Sequence, residues 1–333
     1  MTGIKINNQT RMEAIHEVAL GPMMAPIQEK LVEYGKKDPR VCYVGADFNV
    51  KAFKELFPER AIDVGIAEQN QLCVATGLAK MGMIPVVMGF SPFIPMRSFD
   101  QLRTYLARHN SNVKIITTAS GLVNCSHGTT HHDLESIALY RIVPNLIVLV
   151  AADNDRFERA FDTAMEHEGP VVIMGPAEIY APGEDGPVTM SAAPNRFEIG
   201  KAEWMREGSD VCIISVGPAL HYVLTAAEAL EAQGVSTSVL NMCSIKPLDG
   251  EAIRLAAKKH KIILSVEEQL LNGGLGSAIA EVIAEDCLQI RFKRMGINDQ
   301  FVEDLGDWTY TRQQIGLTSK GVAEQALNML KNI

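Results

Sequence analysis

Glu68 is the residue whose setting first suggests chemistry. It stands in Asp63-Val64-Gly65-Ile66-Ala67-Glu68-Gln69-Asn70-Gln71-Leu72, where a short apolar strand turns into an apolar helix running on through Cys73 to Lys80. A carboxylate that enters a nearly uncharged stretch is costly to bury without a partner. Where such a group is kept, it often has a raised pKa and a chemical task. On spacing alone, a wet helix-start acid that complements the helix dipole is the simpler reading. A second polar concentration is Ser126-His127-Gly128-Thr129-Thr130-His131-His132-Asp133, just after a predicted strand, where open α/β sheets place ligands. Three histidines near an aspartate could hold a metal, and His127 and His131 are four apart. Gly128 and two threonines favour a loop instead, and no further Cys or Glu stands in register. Imidazoles there would donate and accept near neutral pH. Val87-Met88-Gly89-Phe90-Ser91-Pro92-Phe93 follows another strand. Its Phe90 and Phe93 either fill core or line a slot for a flat ring.

The elements that must position these residues alternate along the chain. Continuous apolar strands are predicted at 41–44, 84–88, 113–117, 146–151 and 171–174. Helices are predicted between them at 12–35, 67–81, 98–108, 134–141 and 155–166. Buried strands separated by helices imply a parallel sheet covered on both faces. The pattern breaks at Gly175-Pro176, and a stretch rich in Gly, Pro, Asp and Asn follows. Alternation resumes with strands at 211–216, 236–240, 262–266 and 288–292 and helices at 219–233, 250–259, 275–284 and 321–330. The fold class is therefore α/β, with two doubly wound domains: residues 1–178, a linker 179–195, and a smaller domain 196–333.

Bulk numbers bound the function. The 333 residues suit two ordinary domains, and 47% hydrophobic content fills their cores. A formal charge of −9 with no basic run argues against nucleic acid or an anionic membrane surface as partner. Six cysteines without a Cys-x-x-Cys pair read as free thiols in a reducing cytoplasm. The N-terminal arm lacks the apolar centre of a signal peptide, and Met1 reads as a genuine start.

Taken together, Val44-Gly45-Ala46-Asp47, the Glu68 segment, Arg97-Ser98-Phe99-Asp100-Gln101, His127-Gly128-Thr129-Thr130-His131 and Gly273-Gly274-Leu275-Gly276-Ser277-Ala278 resemble the C-terminal half of the transketolase family. These are thiamin diphosphate enzymes, and the resemblance runs from about Ala14 to the C-terminus. It implies a parallel-sheet pyrimidine-binding domain followed by a transketolase C-terminal-type domain. On that resemblance Glu68 is the catalytic carboxyl that hydrogen-bonds the cofactor's pyrimidine edge, with Ile66, Phe90 and Phe93 lining the ring's slot. Arg97 is either part of that register or a structural ion-pair partner. His131 is expected to be catalytic and to contact substrate, with His127 and Ser126 beside it as substrate-binding residues and His132 as a solvated neighbour. His127 stands where most transketolases carry aspartate, which cannot donate when ionised. Asn272-Gly273-Gly274-Leu275-Gly276-Ser277 lacks a Walker lysine and reads as a tight strand-to-helix turn.

Two departures shape the expected function. At positions where sugar-phosphate members of the family hold the phosphate, this chain has Ala119, Ala177 and Gly45. The substrate tail is therefore expected to be a sulfonate or plain hydroxyl, or to be held elsewhere. The family's Gly-Asp-Gly diphosphate motif has no good counterpart either. The resemblance thus implies a split transketolase in the cytoplasm, active only with an N-terminal subunit that binds the diphosphate and Mg²⁺, with no metal ligands here. It further implies two copies of each subunit (a heterotetramer) and two-carbon ketol transfer between sugars in carbohydrate metabolism. The alternatives are a 2-oxo acid dehydrogenase β subunit, a deoxyxylulose phosphate synthase-like enzyme, or a non-catalytic regulatory subunit.

Overall fold

The computed structural model describes residues 25–48, 50–175, 190, 197–303 and 306–331. The expected linker 179–195 apart from Met190, the first half of the predicted helix 12–35, and Ala177 lie outside the described residues. Two sheets organise what is described. The first takes β1 (Val41–Gly45), β2 (Ala61–Asp63), β3 (Ile84–Phe90), β4 (Lys114–Thr118), β5 (Ile147–Val150) and β6 (Val171–Met174). The second takes β7 (Glu203–Arg206), β8 (Val211–Ser215), β9 (Thr237–Asn241), β11 (Ile262–Leu270) and β12 (Arg291–Ile297). One short strand, β10 (Ser244–Lys246), belongs by sequence to the second half but pairs antiparallel with β5.

The first sheet runs β10-β5-β6-β4-β3-β1-β2, parallel except for β10; the second runs β12-β11-β8-β9-β7, parallel except for β7. Every residue of β1, β4, β6, β8 and β9 is buried, as strands covered by helices on both faces require. The helix Gly250–Lys259 forms with its predicted bounds, started by the Asp249 carboxylate accepting the N–H of Ala252. The expected strand at 288–292 instead begins at Arg291. The preceding helix ends with Cys287 in left-handed conformation (φ 53°) and the N–H of Leu288 bonded back to Ile283 O, which uses up the residues before the strand. The predicted helix at 98–108 contains a π-helical stretch, Gln101–Ala107.

The arrangement matters because the sites of interest hang from one sheet edge. The C-terminal end of β2 leads into the helix Glu68–Lys80, β3 into the short helix Phe93–Arg97, and β4 into the histidine loop. No helix among the described residues is long and apolar enough to cross a membrane. Cys42, Cys125, Cys212 and Cys243 are buried, and Cys73 and Cys287 are exposed thiols.

Candidate functional site

Glu68 opens its helix and is buried, only 7% exposed. The backbone before it is held by the Asp63 carboxylate, which accepts the N–H of Gly65 at 2.9 Å, with Gly65 at φ 71°. One turn along, Gln71 is fully buried and its Nε2 donates to Val44 O (2.8 Å) and Met88 O (2.9 Å), pinning the helix to the ends of β1 and β3. The charge of Glu68 is not left alone. Arg97 Nη1 donates to its Oε1 at 2.7 Å, and Oε2 has no hydrogen-bond partner among the described residues. The ion-pair reading of Arg97 is thus the geometry seen, within the chain itself.

Arg97 also lies flat on an aromatic group. Its guanidinium carbon is 3.7 Å from the centroid of Phe93. Phe93 and Phe90 meet edge to face at 5.7 Å, and Phe48, a residue no sequence pattern singled out, adds a third ring 5.0 Å from Phe90. His131 closes the group, its ring 5.1 Å from Phe93 and 6.2 Å from Phe90. The structure therefore brings Glu68, Arg97, Phe93, Phe90 and His131 into one cluster. Ile66 is 70% exposed on the turn before Glu68.

The histidine loop is built of two 3-10 turns, Cys125–His127 and Thr129–His131, joined at Gly128 with φ 86°. They set the His127 and His131 rings 5.2 Å apart. Ser126 Oγ lies 3.4 Å from His127 Nδ1, and Thr130 Oγ1 lies 3.0 Å from His131 Nδ1. Burial lowers the pKa of His127; burial, then the charges of His127, Arg97 and His132, lowers that of His131. Both shifts favour the neutral imidazole.

His132 corrects an expectation. It is not a solvated neighbour but only 3% exposed, with Nε2 3.4 Å from Cys125 O and Nδ1 lacking a hydrogen-bond partner among the described residues. The chain turns extended at His132 after the Thr129–His131 turn and enters a buried run of three residues, His132, Asp133 and Leu134, with Leu134 and Cys125 in the core. Asp133 is fully buried too, and burial pushes its carboxyl up to about 7. Among the described residues no group of three or more His, Cys, Asp and Glu is gathered as metal ligands.

Two of the expected phosphate-clamp vacancies have local causes. A Cβ on Gly45 would fall 2.3 Å from the Tyr43 hydroxyl, which donates to Phe48 O. Ala119 is fully buried with φ 63°, its methyl packed in the core beneath the histidine loop. Neither position offers a polar group.

Sequence reasoning passed over Glu267 and Glu268, two carboxylates buried inside the apolar strand β11. Burial raises the pKa of both, to about 7 for Glu267. The signal was available: paired charges in the middle of a buried strand demand donors. Glu267 finds them at 2.7 Å in the N–H groups of Leu275 and Gly276, the first two residues of the helix that follows the glycine turn. That turn is a packing device. A Cβ on Gly274 would sit 2.1 Å from Glu267 Oε2, and one on Gly273 2.7 Å from Ala138 Cβ.

Comparison with known proteins agrees with this layout. Residues 22–182 match the family described as transketolase, pyrimidine binding domain, and residues 200–320 that described as transketolase, C-terminal domain. A 6-deoxy-6-sulfo-D-fructose transketolase subunit from Clostridium sp. (strain MSTE9) is 36% identical over 300 residues, covering 89% of this chain and 90% of its own. A 1-deoxy-D-xylulose-5-phosphate synthase from Syntrophus aciditrophicus (strain SB) is 34% identical over 305 residues, covering 90% of this chain but 46% of its own. Among solved structures, a split gene transketolase described as an inactive β4 tetramer superposes with a TM-score of 0.80 at 33% identity, covering 93% of this chain and 98% of the other. The chain thus spans nearly all of the subunit-sized relatives and about half the length of the synthases it matches.

Proposed function

The chain belongs to the transketolase family of thiamin diphosphate-dependent transferases, and from that membership we propose that it is the C-terminal subunit of a split transketolase, moving a two-carbon ketol unit from a ketose to an aldose. The observation that carries the reading is the buried Glu68 carboxylate, with one oxygen uncommitted, beside the half-buried rings of Phe90 and Phe93. These residues fit the aminopyrimidine end of the cofactor. Glu68 would share a proton with the pyrimidine ring nitrogen, and the phenylalanines, with Ile66 at the rim, would hold the ring and exclude water. When bound, the cofactor supplies the electron sink that lets the bond beside a ketose carbonyl break and re-form.

Arg97 keeps the Glu68 charge compensated where the carboxylate is buried. His131 and His127, their pKa values lowered toward the neutral form, would donate to or accept from substrate hydroxyls and move a proton at the reacting carbon's oxygen. Ser126, at His127 Nδ1, would steer that ring's tautomer. Mg²⁺ and the diphosphate belong to an N-terminal partner subunit, and two copies of each subunit assemble around paired sites. The free thiols suit a cytoplasmic protein of carbohydrate metabolism.

The substrate tail is proposed to be a sulfonate or hydroxyl in place of a phosphate. Ala119 and Gly45 present no donor, and a relative of similar length is named for a sulfosugar. The test is to assay this chain alone and mixed with the product of an adjacent diphosphate-binding gene, on 6-deoxy-6-sulfofructose, fructose 6-phosphate and xylulose 5-phosphate. Ketol transfer only in the mixture, with the sulfosugar preferred, is the expected result. High efficiency on both phosphosugars would overturn the tail assignment, and condensation of pyruvate instead of ketol transfer would overturn the reaction.

A further inference from the structure

The loop that carries His127 and His131 packs on Phe90 and Phe93 of its own domain but is also held from the second domain. Its ends are tied together by an isolated bridge, with the N–H of Asp133 donating to Gly121 O at 2.9 Å. Beneath it lies β11 of the second sheet. Glu268 on that strand is 2% exposed, and its Oε2 accepts the backbone N–H of Leu122 at 3.0 Å. The indole N–H of Trp308 reaches both carboxylate oxygens at 3.0 Å. Arg312 lies 3.9 Å from the Trp308 ring and 4.5 Å from that of Tyr222, and its charge is felt at Glu268. The next residue, Gln269, accepts the N–H of Ile137 at 3.2 Å and donates to Asp133 O, while the N–H of Leu270 donates to Leu134 O at 2.8 Å.

The contact at Leu122 is the first link of an unbroken series of turns. Leu122 O accepts from the N–H of Cys125 (3.0 Å), Asn124 O from His127 (3.1 Å), Cys125 O from Gly128 (3.0 Å) and Gly128 O from His131 (2.9 Å). Gly121, at φ 72°, has no room for a side chain, because a Cβ there would lie 2.8 Å from Glu268 Cβ and Oε2. A buried carboxylate that served packing alone would be replaceable by an apolar group. This one grips the backbone of the other domain's loop through a charge-assisted bond.

We propose that Glu268 is a positioning residue for the reaction: from the C-terminal domain it fixes the backbone at Leu122 and thereby sets where His127 and His131 stand in the site. The inference rests on the ketol-transfer reading for its kinetic consequence, but its structural consequence is independent of it.

The test uses Glu268→Gln and Trp308→Phe in the reconstituted two-subunit enzyme. A glutamine that still accepts from Leu122 must turn its amide N–H toward the Trp308 N–H, donor against donor. In Glu268→Gln, kcat/KM for the ketose should fall at least tenfold while the affinity for thiamin diphosphate stays within twofold of wild type. Combined with His127→Ala and His131→Ala together, Glu268→Gln should add less than twofold to the loss from those two substitutions alone, because Glu268 acts through these imidazoles. Trp308→Phe should show the same pattern with a smaller loss, and it carries the cycle should Glu268→Gln fail to fold. Losses that multiply, or an unchanged kcat/KM, would overturn the proposal. A second arm reads amide hydrogen exchange over residues 121–131 of this subunit alone, expected to be at least tenfold faster in the Glu268 or Trp308 variant. Unchanged exchange there would also overturn it. An inactive wild-type mixture would sink the ketol-transfer reading and leave this arm to decide.

Discussion

At the residue scale, the site depends on ionisable groups whose charge is set by their neighbours. His131 and His127 have pKa values below the ordinary imidazole value of 6.5 because they are half out of water. The sign follows directly. As pH falls through 6.5 the unfolded chain takes up these protons before the folded one, so stability is lost progressively as pH drops toward the folded values. For activity the same shift is protective. The acid limb of kcat/KM should have its midpoint below 6.5, and in His127→Asn it should move upward, because one neighbouring positive charge is gone. Titration of the His131 ring by NMR checks this, and a limb at or above 6.5 in the wild type would contradict it. Glu68, Phe90, Phe93, His127 and His131 were legible in the sequence through the family resemblance, since local pattern alone reads Glu68 as a wet helix-start acid and leaves the phenylalanines open between core and slot. The burial of His132 was not, since a polar letter in a polar run carries no sign of which way it turns. Phe48 and Gln71 were illegible for a related reason: their partners lie on other strands.

At the element scale, the glycine turn before the helix Leu275–Glu285 is a cap made from a strand. The Glu267 carboxylate takes the first two N–H groups of the helix, which have no partner within it, in place of a capping side chain at Gly274. Gly274→Ala would push a methyl into Glu267 Oε2 and should destabilise the subunit by about 1–3 kcal/mol, the usual cost of breaking such buried bonds. Urea unfolding at pH 8 checks it, and a change under about 0.5 kcal/mol, the range of a neutral surface substitution, would contradict the account. Gly77 is the opposite case. It sits inside the helix Glu68–Lys80 with open space around its Cα, so Gly77→Ala should stabilise the isolated subunit by roughly 0.5–1 kcal/mol. The long strands were readable because continuous β-branched runs have few other fates. The three-residue β2 and β10 and the half-buried β7 were not, because they are too short or too polar for periodicity to separate from loop.

At the scale of the whole molecule, the two halves are interlocked. β10 crosses over to extend the first sheet. Arg156, 1% exposed in the first half, is bidentate to Glu203 on β7 of the second (2.7 and 2.6 Å) and pairs with Asp153 at 2.5 Å. Removing Glu203 takes two charge-assisted hydrogen bonds from Arg156 and leaves it paired with Asp153 alone, so Glu203→Ala should cost about 1.5–3 kcal/mol. It should also unfold both halves in one transition, read by calorimetry. Two separate transitions in the wild type would show that the halves do not depend on each other. The two-domain alternation was plain in the sequence. The crossing strand and the dependence of the histidine loop on Glu268 were not, because both are contacts between residues far apart in the chain, such as Ser244 with Leu149 and Leu122 with Glu268.

The most direct measurement is the ketol-transfer rate of Glu68→Gln in the enzyme reconstituted with its diphosphate-binding subunit. Glutamine keeps the shape and loses the shared proton. The account predicts a fall in kcat of about 100- to 10,000-fold, the contribution of a positioned acid–base group, with the assembly intact. Undiminished turnover would contradict it.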